Sequence, residues 1–577
     1  MRTANILVIG GGLAGQMAAL AAAEQNCRVD VLSLVPLRRS HSVCAQGGIN
    51  AAANPKAQGD GPWVHFEDTI RGGDYLANQG PVKRMCEAAP GIVRLLDRMG
   101  AAFHRTPEGF LDFRLFDGSK HRRTAYAGAT TGQQILYALD EQVRRYEAAG
   151  MIRKFEGWEF LSAALDGNGS CRGAVAVDLA SGEVRAFPAG AVVVATGGLG
   201  ALFGRSTNSL LNTGAAAGAL YGQGAIYANG EFIQVHPTAI PGPDKMRLIS
   251  GSALAEGARI WVPRNGKRWY FLEEKFPAYG NLVARDLAVR EIHDVCCRQG
   301  LGVGGELKVY LDLTELPKDV LEVKLAGLVQ LYRRFMREDP AVVPMKVSPA
   351  VHYSMGGLWI DPQQMTSIPG LFAAGECEYQ YHGANRLGGN SLLSCLHGGM
   401  VAGRSAGAWA DGAHGDAGAG LQAEVVRQEA WLGSVASMQG RENPFRLHEE
   451  LGRAMTEQVT VVRTNAGLDA ALEKIQELKE RWDDIAVCDP AKGTNQSASF
   501  VRQLHHMLEL AHVIALGARL REESRGSHYK VDFPERDDRF LKTTLARFTP
   551  DGPRIEYGEV DLQFLAPRPR TDEEAGP

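Results

Sequence analysis

No stretch of this 577-residue chain reaches about 18 apolar residues free of charge and glycine, so no membrane-spanning helix is expected. Nor does a charged leader, an apolar segment and a cleavage site open it, so a cytoplasmic polypeptide is expected. An excess of one charge is also lacking. Lys and Arg number 62 against 66 Asp and Glu, a net charge of -4, which gives no bulk-charge argument for nucleic acid or an anionic membrane surface. The nine cysteines, at 27, 44, 86, 171, 296, 297, 377, 395 and 488, are odd in number and never spaced CxxC. They fit a reducing compartment and offer neither a metal site nor an iron-sulfur cluster within the chain. The vicinal pair Cys296-Cys297 reads as structural. No internal repeat is found. Glycine is what the chain has in plenty, 68 residues, many of them in short motifs of the kind that let backbone approach a cofactor closely.

The length exceeds what one core usually serves, so three or four domains are expected. The first begins with the apolar run Asn5 to Ile9, the turn Gly10-Gly11-Gly12-Leu13-Ala14-Gly15, an alanine-rich helical stretch and a second strand from Arg28. In that context the GxGxxG pattern has a mechanism. Gly10 makes the tight turn, Gly12 admits pyrophosphate to the backbone, and Gly15 lets helix and sheet pack closely. The anion then rests on a helix N-terminus. An acidic residue for a ribose is missing, because the second strand ends at Ser33; Asp30 lies inside the strand and is not expected to replace it. A second buried strand, Ala191 to Val194, runs into the turn at Gly197 and reads as another cofactor-side strand rather than a mere corner.

Helices are expected at about 80–99 and 130–149, and strands near 158–163, 172–179 and 184–188. From His236-Pro237-Thr238 to about 344 the pattern changes to mixed strands and helices, then glycine-rich motifs resume at 348. The cofactor domain is therefore expected as 1–235 and 345–410, split by an insertion at 236–344. After a loose Gly/Ala/Asp stretch at 411–420, residues 421–520 read as a helix bundle, with Leu447, Leu451 and Met455 on one face. Proline, arginine and aromatic residues suggest a mostly irregular tail over 521–577 with little core of its own.

Between the second strand and an Ala45-Gln46-Gly47-Gly48 turn lies Ser40-His41-Ser42. Alone it is a loop histidine beside a glycine turn. Together with HPT at 236–238, HYSMGG at 352–357, AAGE at 373–376 and HGANRLGGNSL at 382–392, it resembles, over nearly the whole chain, the flavoprotein subunits of succinate dehydrogenase and fumarate reductase. The resemblance implies an α/β fold: a Rossmann-type FAD-binding domain split by an inserted α+β capping domain, then a helical domain and a tail. It implies FAD bonded covalently through His41, with Ser33, Ser42, Gly47, Gly48, Gly197, Glu376, Ser391 and Leu392 among the cofactor contacts and Glu376 toward the ribose. It implies a C4 dicarboxylate held by His236, Ser250, His352 and Arg386, and Arg285 of Arg285-Asp286 as the proton-exchanging residue. A guanidinium fork suits bidentate recognition of one carboxylate, and imidazoles suit the other. Partners follow by the same resemblance: an iron-sulfur subunit and membrane anchor subunits with quinone, placing the chain peripherally on the cytoplasmic face of the inner membrane in the respiratory chain.

Two departures stand out. The family's relay glutamate and arginine fall on Gly251 and Leu254 in Ser250-Gly251-Ser252-Ala253-Leu254-Ala255-Glu256, so the usual proton route is broken and Glu256 is the candidate to replace it. An FAD-contacting Gly-Asp-Gly segment is replaced by Asn212-Thr213-Gly214. Other readings are a soluble relative such as L-aspartate oxidase, which normally lacks the histidine at position 41, and a flavin-binding electron-transfer subunit without dicarboxylate activity. The physiological direction cannot be read from these residues, which serve both.

Overall fold

The computed structural model describes residues 5–56, 59–116, 118–242, 244–412 and 418–568. Half of the Gly/Ala/Asp stretch at 411–420, namely 413–417, and the last nine residues of the tail lie outside them. At the centre is a parallel five-stranded sheet. Its order runs Leu371–Ala373, Ala191–Val194, Asn5–Ile9, Arg28–Ser33, Ile152–Glu156. The first four are buried at nearly every position because both faces are covered, while the edge strand Ile152–Glu156 is partly exposed. On one face the helix Leu13–Ala23 packs against the helix Asn390–Gly412. A Cβ at Gly399 or Gly403 would meet the carbonyl oxygens of Ala14 and Ala18 at 2.4 and 2.2 Å, so the two backbones approach as only glycine permits. Asp30 turns away from the cofactor side to pair with Arg153 at 2.7 and 2.8 Å.

The inserted segment builds on a six-stranded sheet in the order Arg247–Leu248, Ile233–Ile240, Met345–Ser354, Val309–Asp312, Arg259–Arg264, Lys267–Trp269. Its two long strands, Ile233–Ile240 and Met345–Ser354, are the entry and exit of the insertion. They pair antiparallel with Gln234 opposite Tyr353 and His236 opposite Ala350, and the register shifts beyond His236, at Pro237. A separate apolar core, including Ile260, Phe271, Ile292, Leu311 and Tyr332, holds this part together.

Helices Pro444–Gln458, Asn465–Trp482 and Gln496–Leu520 form the helical part. Their starts are capped by Asn443, Thr464 and Asn495, whose side chains accept first-turn N–H groups. The helix Gly418–Ala436, expected within that bundle, lies mainly on the three-stranded sheet Trp158–Leu165, Cys171–Asp178, Val184–Pro188, where Val425 and Leu432 meet Leu161, Val175 and Val177. The tail is more ordered than its composition suggests. Strands Lys542–Arg547 and Arg554–Glu559 pair as a hairpin and extend a sheet through Tyr227–Ala228. Its core is ionic: fully buried Arg521 bonds Glu231 and Glu523 at 2.8 Å each, and Arg525 bonds Glu523 at 2.9 Å. Reading the tail by apolar content missed a core made of satisfied charges. No helix among the described residues is long and apolar enough to cross a membrane.

Candidate active site

A cavity of about 600 Å³ opens at the C-terminal ends of the parallel strands and runs under the inserted sheet. Ligands of open parallel sheets bind at such strand ends. Its lining includes Gly10, Gly12 and Ser33, then His41, Ser42, Gly47, Gly48, Gly197, Glu376, Ser391 and Leu392, and also His236, Ser250, Arg285, His352 and Arg386. Gly15 is outside the lining, in the packing position expected of it: a Cβ there would stand 1.9 Å from the Gly10 carbonyl oxygen. Gly10 has φ +113°, a conformation that L side chains rarely adopt.

The loop carrying His41 is held by the start of the helix Thr131–Ala148. The Gly132 N–H donates to Ala45 O at 2.8 Å, and a Cβ on Gly132 would meet Ser42 O at 2.1 Å. Ser42 Oγ in turn accepts the Leu13 N–H at 3.3 Å, at the N-terminus of the first helix. Burial and the facing Lys245 charge push the His41 imidazole down to about 4, so it is neutral and nucleophilic at pH 7. Along this cavity Ser40 Oγ, His41 Nδ1, Gln46 Oε1 and Asn212 Nδ2 are buried with no partner in the protein. Buried polar atoms are normally satisfied, and a polar dinucleotide in this cavity meets that need; the glycine cradle and the helix N-terminus suit its pyrophosphate. Glu376 lies between, its Oε1 accepting the Ser354 N–H at 3.0 Å and its pKa pushed up to about 7 by burial.

At the far end two arginines and two histidines converge. Gln234 Oε1 accepts from Arg285 Nη1 at 3.1 Å and from Arg386 Nη2 at 2.8 Å. Its Nε2 donates to Asn385 Oδ1 and to Arg386 O at 2.9 and 2.8 Å, so the bridge is fixed from behind. The rings of His236 and His352 stand edge to face with centroids 5.1 Å apart. Thr238 holds His236 Nδ1 and Thr207 Oγ1 holds His352 Nδ1, the latter at 2.8 Å. Burial first, then the charges of the two arginines, lowers His236 well below the usual imidazole range; burial, His236 and the same arginines do so for His352. Two cations and two neutral N–H donors around one space make an anion site.

Glu256 is not brought there. It does not line the cavity, and its carboxylate bonds Lys324 Nζ at 2.9 Å. Leu254 is buried in the core of the insertion. Several lining residues were not found from sequence, namely Thr207, Lys245, Trp158, Glu159, Phe160 and Gln503, and neither was Gln234, which bridges the two arginines. Gln503, from the helical part, donates to Glu159 Oε1 at 2.8 Å. Gln46 sat unassigned within a recognised motif; the others carry no local pattern that marks them.

Fold and cavity together define an FAD-dependent oxidoreductase, and the comparisons agree. A model of the FAD binding domain matches residues 5–392, and one of the fumarate reductase flavoprotein C-terminus matches 448–572. The succinate dehydrogenase flavoprotein subunit of Bacillus subtilis is 58% identical over 99% of this chain and 98% of its own. The fumarate reductase flavoprotein subunit of Escherichia coli is 34% identical over 98% and 95%. Among solved structures, a variant of E. coli quinol fumarate reductase superposes with a TM-score of 0.94 at 33% identity, covering 100% of this chain and 99% of that one. Mycobacterium smegmatis Sdh1 in complex with UQ1 gives 0.85 at 30%, covering 98% and 95%. The chain belongs to the succinate dehydrogenase and fumarate reductase flavoprotein family.

Proposed function

We propose that this chain interconverts succinate and fumarate as the catalytic flavoprotein subunit of a membrane-associated succinate:quinone oxidoreductase. The observation that carries this reading is the Arg285–Gln234–Arg386 bridge facing His236 and His352 in the same cavity as His41 and the dinucleotide turn. FAD, when bound, supplies the two-electron redox chemistry. Its anchor is His41, neutral and with Nδ1 unpartnered.

Arg386 holds one substrate carboxylate through its fork. His236, His352 and Ser250 hold the other, donating N–H and O–H groups while adding no charge. Arg285 lies buried beside the same bridge and exchanges the proton on the substrate carbon. A guanidinium releases that proton only where water is excluded and the proton is returned. Gly251 and Leu254 cannot return it, and Glu256 is engaged with Lys324 away from the cavity. Solvent protons therefore reach Arg285 by a route without those side chains.

Family membership supports an iron-sulfur partner and a quinone-binding membrane anchor, and a place on the cytoplasmic face of the inner membrane through them. Related structures are those of a quinol-fumarate reductase with menaquinol molecules and of Sdh1 with UQ1. The test is the flavin spectrum of the purified complex under anaerobic conditions. Succinate bleaches it if the reading is right; no response to succinate, or to fumarate after reduction, favours a flavin-binding electron-transfer subunit. Bleaching by L-aspartate instead would assign the oxidase.

A further inference from the structure

A buried polar chain leaves the dicarboxylate end of the cavity and ends on the helix that faces the cofactor. Arg386 lies over the ring of Tyr353, its Cζ 4.7 Å from the centroid. Tyr353 Oη is 3.3 Å from His382 Nε2, and the same nitrogen is 3.0 Å from Ser394 Oγ. Ser394 Oγ donates to Ser391 O at 3.0 Å in the first turn of Asn390–Gly412. One ring nitrogen, His382 Nε2, therefore joins the Tyr353 phenol to the Ser394 hydroxyl. His382 is 4% exposed and its Nδ1 has no partner. Burial, with the Arg386 charge second, holds the ring well below the usual imidazole range, hence neutral.

The backbone around His382 does not yield. A Cβ on Gly73 would meet His382 O at 2.7 Å, Gly383 has φ +56°, and Ala384 N donates to Gly73 O at 2.9 Å. A displacement at Arg386 is therefore passed along side chains rather than absorbed by the loop. The receiving end matters because Ser391 and Leu392 line the cofactor cavity at a helix N-terminus, whose unpaired N–H groups set a positive potential there.

We propose that His382 is a positioning residue that couples occupancy of the Arg386 carboxylate site to the first turn of Asn390–Gly412, and so to the environment of the flavin. A dicarboxylate on Arg386 draws the guanidinium off the Tyr353 ring. Tyr353 then moves against His382 Nε2, the contact of that nitrogen with Ser394 changes in turn, and the first turn adjusts. The proposal rests on the dicarboxylate reading above.

The probe is malonate, a diacid with no CH–CH bond to oxidise, titrated into the oxidised complex and followed by the flavin difference spectrum. Tyr353→Phe keeps the ring under Arg386 and cuts the chain at one end; Ser394→Ala cuts it at the other; His382→Phe removes the link. Each variant's flavin content is read from its visible absorbance. The expected result is that malonate still binds, with its dissociation constant within about threefold of wild type, while the difference-spectrum amplitude falls below half in Tyr353→Phe and in Ser394→Ala. His382→Gln, whose amide can donate to Ser394, restores part of it. Wild-type amplitude in either Tyr353→Phe or Ser394→Ala overturns the coupling. Absence of any malonate response in wild type sinks the dicarboxylate reading instead.

Discussion

Replacing Gln234 with Glu changes one atom in the bridge between the two arginines and adds one negative charge. The new carboxylate oxygens stand where Oε1 now lies 3.1 Å from Arg285 Nη1 and 2.8 Å from Arg386 Nη2. A substrate carboxylate gripped by Arg386 from the cavity side is then about 5 to 6 Å from the added charge. At an effective dielectric of about 20 the repulsion is about 3 kcal/mol, or roughly a hundredfold loss of affinity. The exchange also removes the Nε2 donor to Asn385 Oδ1 and Arg386 O, so a neutral control that loses the same donor is needed, and Gln234→Met serves. Met also lacks the acceptor that Oε1 gives both arginines, so the charge is read against wild type and Met together, and affinity in the Glu variant is expected to fall below both. Affinity is read by malonate titration of the flavin spectrum, and catalysis by kcat/KM for succinate, both at equal flavin content. Equal malonate affinity in the Glu and Met variants would refute the reasoning, because a diacid insensitive to that charge is not held by this arginine pair.

His41→Ala leaves the glycine turn and the rest of the cavity intact, so the variant is expected to bind FAD and to release all its yellow colour on acid precipitation, whereas the wild-type pellet stays yellow. Glu256→Gln loses only a partly exposed pair with Lys324, at 10% and 39% side-chain exposure, worth at most about 1 kcal/mol. Its pH profile for fumarate reduction should match wild type, and a changed profile would return Glu256 to the proton route. Restoring the family's relay by Gly251→Glu with Leu254→Arg is expected to raise that rate most at high pH; Leu254→Arg alone, an unpaired charge in the core of the insertion, should lower Tm more than the pair. His65, fully buried, is pushed down to about 3 by burial and then by Arg123 against its bond to Asn390. A depressed folded pKa gives stability that is present above about 6.5 and lost as pH falls below it, about 2 kcal/mol between pH 7 and 5. If His65→Gln shows the same fall in Tm over that range as wild type, the assignment fails.

What could be read from sequence was what local geometry dictates. The Gly10 turn is legible because strand, turn and helix are contiguous, and Gly15 answers to a contact five residues away, at the Gly10 carbonyl. His236, His352 and Arg386 were found because motifs carry them. Gln234 was not, although it touches both arginines, because its partners lie 51 and 152 positions away. Its strand is buried at all eight positions, so no alternation marks the face toward the cavity. The tail misled for a related reason. Arg521, Glu523 and Arg525 suggest solvent by composition, and only their mutual pairing lets them form a core.

The same distinction bears on Gly251 and Leu254. Both departures were visible in sequence, and the fold shows what they do and do not disturb. The short helix Ser252–Ala255 still packs beside the turn Gly280–Leu282 that leads into Arg285, and Leu254 fills the apolar core of the insertion. The position of Arg285 therefore does not depend on relay side chains; it depends on the Gln234 bridge and on the packing around that turn. On the proposed reading binding and proton supply are separable: the Gln234 bridge to Arg285 and Arg386 is in place, and Leu254 sits in the apolar core of the insertion rather than in the cavity. A rate limited by proton supply, with dicarboxylate affinity intact, is what such an arrangement produces.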